Sequence, residues 1–284
     1  MLPSTSTSSS NRQRMNREDR ARWAKQTINQ TIPAILRGDA LSRAGIKHTI
    51  LHRNLPPMPS PNPIDDASIS IHIWQVDTLS AAQALHGRTS SPPGRLAILN
   101  MASYLRPGGG VLTGAQSQEE FLCTRTTLYP ALRDEFYRLP EVSVVFTRDV
   151  VVFRDANGED FPKQNRFHVD VATSAMLRAD LTEVEGATTW ADDQVKEVIL
   201  AKMRLLMRVL CGNGVKRVVL GAWGCGAYGN PVEEMARLWR IVLLGGKKGK
   251  KEHWKGLEEV IFAITDQHKW VSLDAYLKIP YPPR

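Results

Sequence analysis

Residues 215–231 read VKRVVLGAWGCGAYGNP. A β-branched apolar run ends in a string of glycines, and Pro231 then opens PVEEMARLWRIVLLG, an amphipathic stretch with acidic residues in its first turn. Strand, glycine turn and helix are the repeating unit of a layered α/β fold. Working outward, the alternation recurs. Strands are expected at 68–76, 95–102 (RLAILNMA), 166–175 (RFHVDVATSA) and 257–266 (LEEVIFAITD), and VSVVFTRDVVVFRD (142–155) reads as two short strands around a turn. Helices are expected at 78–87, which closes on Gly87, and at 195–214, a long amphipathic stretch stopped by Gly212-Asn213-Gly214. Residues 119–138 also place Phe121, Leu122, Leu128, Leu132 and Phe136 at helical spacing. Buried β-branched runs between helices imply a sheet covered on both faces.

The N-terminal part is organised differently. Residues 1–15 are Ser/Thr-rich, with too few apolar side chains to offset chain entropy, and read as a disordered tail. They lack the apolar core of a secretory signal. Trp23, Ile28, Ile32 and Ile35 follow at helical spacing and Gly38 ends the run, which predicts a helix over 17–37. Five prolines fall within residues 54–66, a linker or extended loop. The expected organisation is a tail (1–15) and one α/β domain over 16–284, which includes an N-terminal helical extension (16–66).

Composition narrows the function classes. The chain has 284 residues, 42% hydrophobic and 23% charged, an ordinary globular balance. No run approaches the roughly 18 consecutive apolar residues of a membrane-spanning helix. Three widely spaced cysteines, Cys123, Cys211 and Cys225, form no CxxC pair, which argues against a zinc finger or disulfide framework and for a reducing compartment, cytoplasm or nucleus. The net charge of +8 favours a polyanionic partner. Part of that excess is local, in GGKKGKKEHWKG (245–256), which reads as a solvated loop. No ligand spacing for a metal is evident, so neither metal nor cofactor is expected. A monomer is expected, since no coiled-coil heptads occur.

Two glycine clusters follow strands, and in open α/β sheets ligands bind at the C-terminal strand edge. Gly224, Gly226 and Gly229 fit G-x-G-x-x-G and lead into a helix, an arrangement that brings backbone N–H groups and a helix N-terminus to a diphosphate. The acidic ribose ligand of a dinucleotide dehydrogenase should follow about 20 residues later. The lysine loop stands there instead, which argues against nicotinamide redox chemistry. The other cluster, GGGVLTGAQSQEE (108–120), ends in Glu119 and Glu120 at a helix start. Adjacent carboxylates repel, so one of them holds its proton to higher pH; closure around a ligand would add desolvation in the same direction, while the helix N-terminus opposes the shift. A carboxyl protonated near neutrality is what cleavage of a glycosidic bond needs.

PGGG, QEE eight residues on, the preceding Asn-Met-Ala-Ser (100–103) and GAWGCGAYGNP together resemble the microbial-type poly(ADP-ribose) glycohydrolases, over roughly residues 17–270. FTRDVVVFRD (146–155) and VATSAM (171–176) also have counterparts in that family. Met101 and Tyr228 depart from it, standing where the family often has Phe. The resemblance implies a macrodomain-like mixed central sheet flanked by helices on both faces. It implies that Glu120 protonates the leaving ribose oxygen and then activates water, with Glu119 on the adjacent ribose hydroxyls. Gln118 would order the loop and Asn100 would hold the distal ribose. Gly108, Gly109 and Gly110 would pass close to ribose and phosphates. Gly224, Cys225, Gly226, Ala227 and Tyr228 would wrap the diphosphate, and Asn230 would brace that loop. The implied partner is ADP-ribose polymer or an ADP-ribosylated protein or nucleic acid, with attack from polymer ends. The competing reading is a macrodomain that binds ADP-ribose without cutting it. A thiol role for Cys225 has no base near it in sequence. Phe153 and Phe167 read as core, with the adenine site as their functional alternative.

Overall fold

The computed structural model describes residues 15–54, 69–88, 94–184, 187–245 and 253–277. The tail, most of the proline segment and the lysine run 247–251 lie outside the described residues. A seven-stranded sheet is built from β1 (Ile50–His52), β2 (Ser70–Trp74), β3 (Arg95–Met101), β4 (Val144–Val152), β5 (Phe167–Ser174), β8 (Val215–Leu220) and β9 (Glu259–Ala263) in the order β1-β4-β5-β3-β8-β9-β2. The pairs β5-β3, β3-β8, β8-β9 and β9-β2 are parallel, and β4 runs antiparallel to both β1 and β5. A small hairpin, β6 (Leu181–Val184) with β7 (Ala187–Trp190), stands apart from it. Because β3 and β8 are parallel neighbours, the two glycine loops that follow them leave the same edge of the sheet side by side.

Helices cover both faces. On one lie α6 (Gln194–Gly212), α7 (Val232–Leu244) and α8 (Gln267–Leu277). Ile199, Met203, Leu206 and Leu210 recur at helical spacing on α6 and are fully buried, each contributing about 1.5–3 kcal/mol of transfer free energy. On the other lie α4 (Thr78–His86) and α5 (Gln118–Cys123), with α1 (Arg17–Gln26) packed against them. Asp77 caps α4 by accepting from the Leu79 and Ser80 N–H groups. The remaining helices, α2 (Ile32–Arg37) and α3 (Ala40–Lys47), complete the N-terminal extension.

Several expectations need correction. The helix over 17–37 is interrupted by a π-helical turn at Thr27–Thr31. Pro33 has no N–H and its ring crowds the carbonyl one turn back, and the wider turn absorbs both. The helix over 119–138 stops at Cys123. Thr124 and Thr126 return their hydroxyls to the Glu120 and Leu122 carbonyls, Thr126 bridges to Val152, and only 3-10 turns follow, at Tyr129–Ala131 and Asp134–Phe136. Residues 144–152 form one strand rather than two. Its irregularity between Thr147 and Val150 holds Asp149 at φ 55°, so the turn signal marks a bulge. Strands β1, β6 and β7 and helices α3 and α8 went unread. The strands are only three or four residues long, and α3 follows directly on Gly38.

Candidate active site

The two glycine loops and the start of α5 line one cleft of about 590 Å³ at the C-terminal edge of the parallel strands. Gly109, Gly110, Gln118, Glu119 and Glu120 form one wall. Gly224, Gly226, Ala227 and Tyr228 form the facing one. Burial pushes the Tyr228 phenol up, and the Tyr104 backbone opposes that shift.

The carboxylate pair is set by backbone. Glu119 is buried to 1% exposure and accepts from the Ser103 N–H at 2.8 Å. Asn100 Nδ2 stands 3.5 Å from its other oxygen. Glu120 accepts from the Gly110 N–H and the Ser117 N–H, both at 2.7 Å, and from the Ser117 hydroxyl, which closes a capping box at the start of α5. Gly109 sits against both. With φ at +55°, a Cβ built on it would stand 2.7 Å from Glu120 Oε1 and 2.9 Å from Glu119 Oε2. No other residue type fits there. In the first glycine cluster the Gly110 N–H is directed at Glu120, and the Gly109 N–H donates to the Arg106 carbonyl.

Burial, helped by the neighbouring Glu120 charge and opposed by the Ser103 N–H, Asn100 and Gly108, raises the Glu119 pKa from 4.5 to about 8. Glu119 is therefore neutral near pH 7. Gln118 fixes the pair's height: its amide donates to the Leu99 carbonyl at 2.7 Å and accepts from the Met101 N–H at 2.9 Å. Helix α5 is thereby stitched to the end of β3.

Four of the residues singled out in the sequence stand behind the cleft rather than on it. Asn100 is fully buried beneath Glu119, with its Oδ1 lacking a hydrogen-bond partner. Gly108 (φ +65°) turns the chain against the Tyr129 ring. Asn230 donates to the carbonyls of Leu177 and Gly224 and accepts from the Trp190 indole. Cys225 is 6% exposed, and burial pushes its thiol up to about 12, which leaves it no thiolate for nucleophilic chemistry. Trp223 packs beneath the loop and donates to the Ser174 carbonyl. Phe153 and Phe167 are core residues, 1% and 3% exposed, so neither lines the cleft.

Sequence reading missed a third wall. Ala263 to Asp266 and Lys269, at the end of β9 and the start of α8, line the cleft, and with Arg106 they bring two cations to it. The signal was present: the expected strand 257–266 ends on Asp266, at the same edge as 215–220. Among the described residues no cluster of side chains could hold a metal ion, and no helix is long and apolar enough to cross a membrane.

A mixed sheet with helices on both faces and a glutamate pair facing a glycine-rich loop make a macrodomain-like arrangement. The family model of the microbial-type PARG catalytic domain matches residues 29–155, the segment that holds the first glycine loop and both glutamates. No curated protein matches the chain by sequence. Among solved structures, the poly(ADP-ribose) glycohydrolase of Thermomonospora curvata is 25% identical, with a TM-score of 0.72 over 92% of this chain and 100% of that one. The same enzyme bound to the inhibitor ADP-HPD gives 0.71 at 25% identity, over 91% and 99%. The Deinococcus radiodurans enzyme in complex with ADP-ribose gives 0.65 at 26% identity, over 84% and 98%.

Proposed function

We propose that this chain is a poly(ADP-ribose) glycohydrolase that cleaves the ribose C1″ O-glycosidic bond and releases ADP-ribose. The observation that carries the reading is the convergence of the Glu119–Glu120 pair and the 224–228 loop on a single cleft. The facing loop, with Arg106 and Lys269, suits the diphosphate, and the β9 end leaves room for the base. This directs the terminal ribose to the glutamate wall. Glu120 donates a proton to the leaving oxygen as C1″ becomes oxocarbenium-like, then takes a proton from the attacking water. Such proton transfer is worth roughly 10²–10⁴-fold. Glu119, neutral and deeply seated, donates its carboxyl proton to a ribose hydroxyl and accepts from its neighbour. Bent toward the ribose, the bound diphosphate would stabilise the developing positive charge. Gln118 and Asn230 act as positioning residues, one for each wall. The partner is ADP-ribose polymer, met by a monomer.

The test is Glu120→Gln. It should retain ADP-ribose binding and lose nearly all release of ADP-ribose from polymer. A wild-type protein that binds ADP-ribose but releases none from polymer, ADP-ribosylated protein or ADP-ribosylated nucleic acid would establish a reader instead.

A further inference from the structure

Glu120 is only 7% exposed, yet its proton has to reach the cleft. Its two carboxyl oxygens are held differently. Oε1 accepts from the Gly110 N–H, and Gly109 lies so near that a Cβ built on it would stand 2.7 Å away. No substrate atom fits between them. Oε2 accepts from the Ser117 N–H at 2.7 Å and from the Ser117 hydroxyl. A carboxylate oxygen offers two lone pairs, so both on Oε2 are taken.

Ser117 itself is exposed. It borders the cleft and, with Glu120, also a second cavity of about 440 Å³ that Trp23 helps to line. Its hydroxyl thus reaches the buried carboxyl from a residue that meets the substrate space. The two donors on Oε2 are not equivalent. A backbone N–H can only donate, whereas a hydroxyl rotates and accepts as well as donates. With Glu120 ionised, the hydroxyl turns its hydrogen to Oε2. With a proton on Oε2, it accepts from the carboxyl and turns its own hydrogen outward. The neighbouring Gln118 amide has no such freedom, being bound at both ends to β3.

We infer that Ser117 is a further catalytic residue, whose hydroxyl relays the proton from Glu120 to the leaving oxygen. The inference rests on the glycohydrolase reading and deepens it. As the bond between C1″ and the leaving oxygen breaks, its electron pair stays with the oxygen. The Ser117 hydroxyl proton moves to that oxygen, and the Glu120 proton moves to Ser117 Oγ. This step leaves a free hydroxyl on the departing group, ionised Glu120, an unchanged serine and an oxocarbenium-like C1″. Water then adds to C1″, and its proton returns through the same hydroxyl to Glu120. A helix cap alone would not need a hydroxyl, since Asn caps as well as Ser. That difference makes the two roles separable.

The experiment measures single-turnover release of ADP-ribose by wild type and by Ser117→Ala, Ser117→Asn and Ser117→Thr. One substrate is ADP-ribose polymer. The other carries para-nitrophenol on C1″, a leaving group that departs as its anion and needs no proton. On polymer, the alanine and asparagine variants should lose about 10- to 100-fold, part of what general acid catalysis supplies. The threonine variant should recover most of that loss, although threonine is no better a cap than asparagine. On the nitrophenyl substrate all variants should stay within about threefold of wild type, since no proton has to be delivered. ADP-ribose affinity should hold within about twofold throughout. Release from polymer at the wild-type rate by Ser117→Ala would overturn the relay and leave the hydrolase reading intact. So would activity that follows cap strength, with asparagine at or above threonine, or an equal loss on both substrates, the mark of a displaced Glu120. Failure of wild type to release ADP-ribose from either substrate would bring down the hydrolase reading and the relay with it.

Discussion

The Trp190 indole N–H donates to Asn230 Oδ1 at 2.8 Å, and this one bond fastens the small β6–β7 hairpin to the loop that faces the glutamates. The Asn230 amide turns its other end to the Leu177 and Gly224 carbonyls, at 2.8 and 3.1 Å. One buried side chain thus joins three segments. Asn230→Leu would leave the Trp190 indole donor and the Leu177 carbonyl unsatisfied, at roughly 1–3 kcal/mol for each such group, while the Gly224 carbonyl keeps the backbone N–H of residue 230. The expected outcome is a loss of about 2–4 kcal/mol in denaturant titrations, with ADP-ribose affinity reduced at least about tenfold because the loop loses its brace. Unchanged affinity would mean that the loop holds its shape without Asn230.

Gly109 and Gly226 face the same cleft but should respond differently to alanine. At Gly109 the added methyl would collide with an oxygen of each glutamate, so Gly109→Ala should abolish ADP-ribose release and lower the melting temperature. At Gly226 a Cβ meets nothing within 4 Å, so Gly226→Ala should fold with wild-type stability. Its methyl would point into space proposed for the diphosphate. Binding should weaken there without any change in melting temperature, and the pair of measurements separates a positioning glycine from a contact glycine.

The strand–glycine–helix unit at 215–244 and its partner at 95–120 were legible because each rule in them agrees: buried β-branched runs, glycines at the strand end, an acidic first turn. That was enough to place both loops on one edge, which is most of the site. What was not legible depended on partners far away in the chain. Trp23 keeps a core spacing yet borders a cavity, since what it faces is set by Phe121 and Arg125. Asn100 reads as a ligand contact but is sealed beneath Glu119. That Glu119 keeps its proton to high pH was also hidden, because this follows from its depth of burial and not from its place beside another glutamate.

Cys225 lies in the middle of the proposed diphosphate loop, yet its thiol is buried and held far above neutrality. Cys225→Ser should therefore release ADP-ribose at a rate within about twofold of wild type, and brief treatment with a thiol alkylating reagent should leave the wild-type rate unchanged, as expected for a protonated, inaccessible sulfur. A loss of more than about tenfold in the serine variant would require the sulfur itself.

Glu119 makes the stability of the protein depend on pH in a direction opposite to that of most carboxylates. Its pKa is raised from 4.5 to about 8 by burial, so between those values the unfolded chain has released this proton and the folded chain has not. The folded state binds more protons, and stability falls as pH rises through that window. Below pH 4.5 the side chain is neutral in both states and imposes no such cost. Each pKa unit corresponds to about 1.4 kcal/mol, so the loss by pH 8 is on the order of a few kcal/mol. Glu119→Gln is neutral throughout and keeps the same shape. Denaturation of wild type and variant at pH 5 and pH 8 should show the difference moving in favour of the glutamine by a few kcal/mol at the higher pH. The other titrating groups cancel in that difference. Parallel stability curves would mean that Glu119 ionises in the folded protein as it does in water, and would remove the neutral carboxyl from the proposed ribose contact.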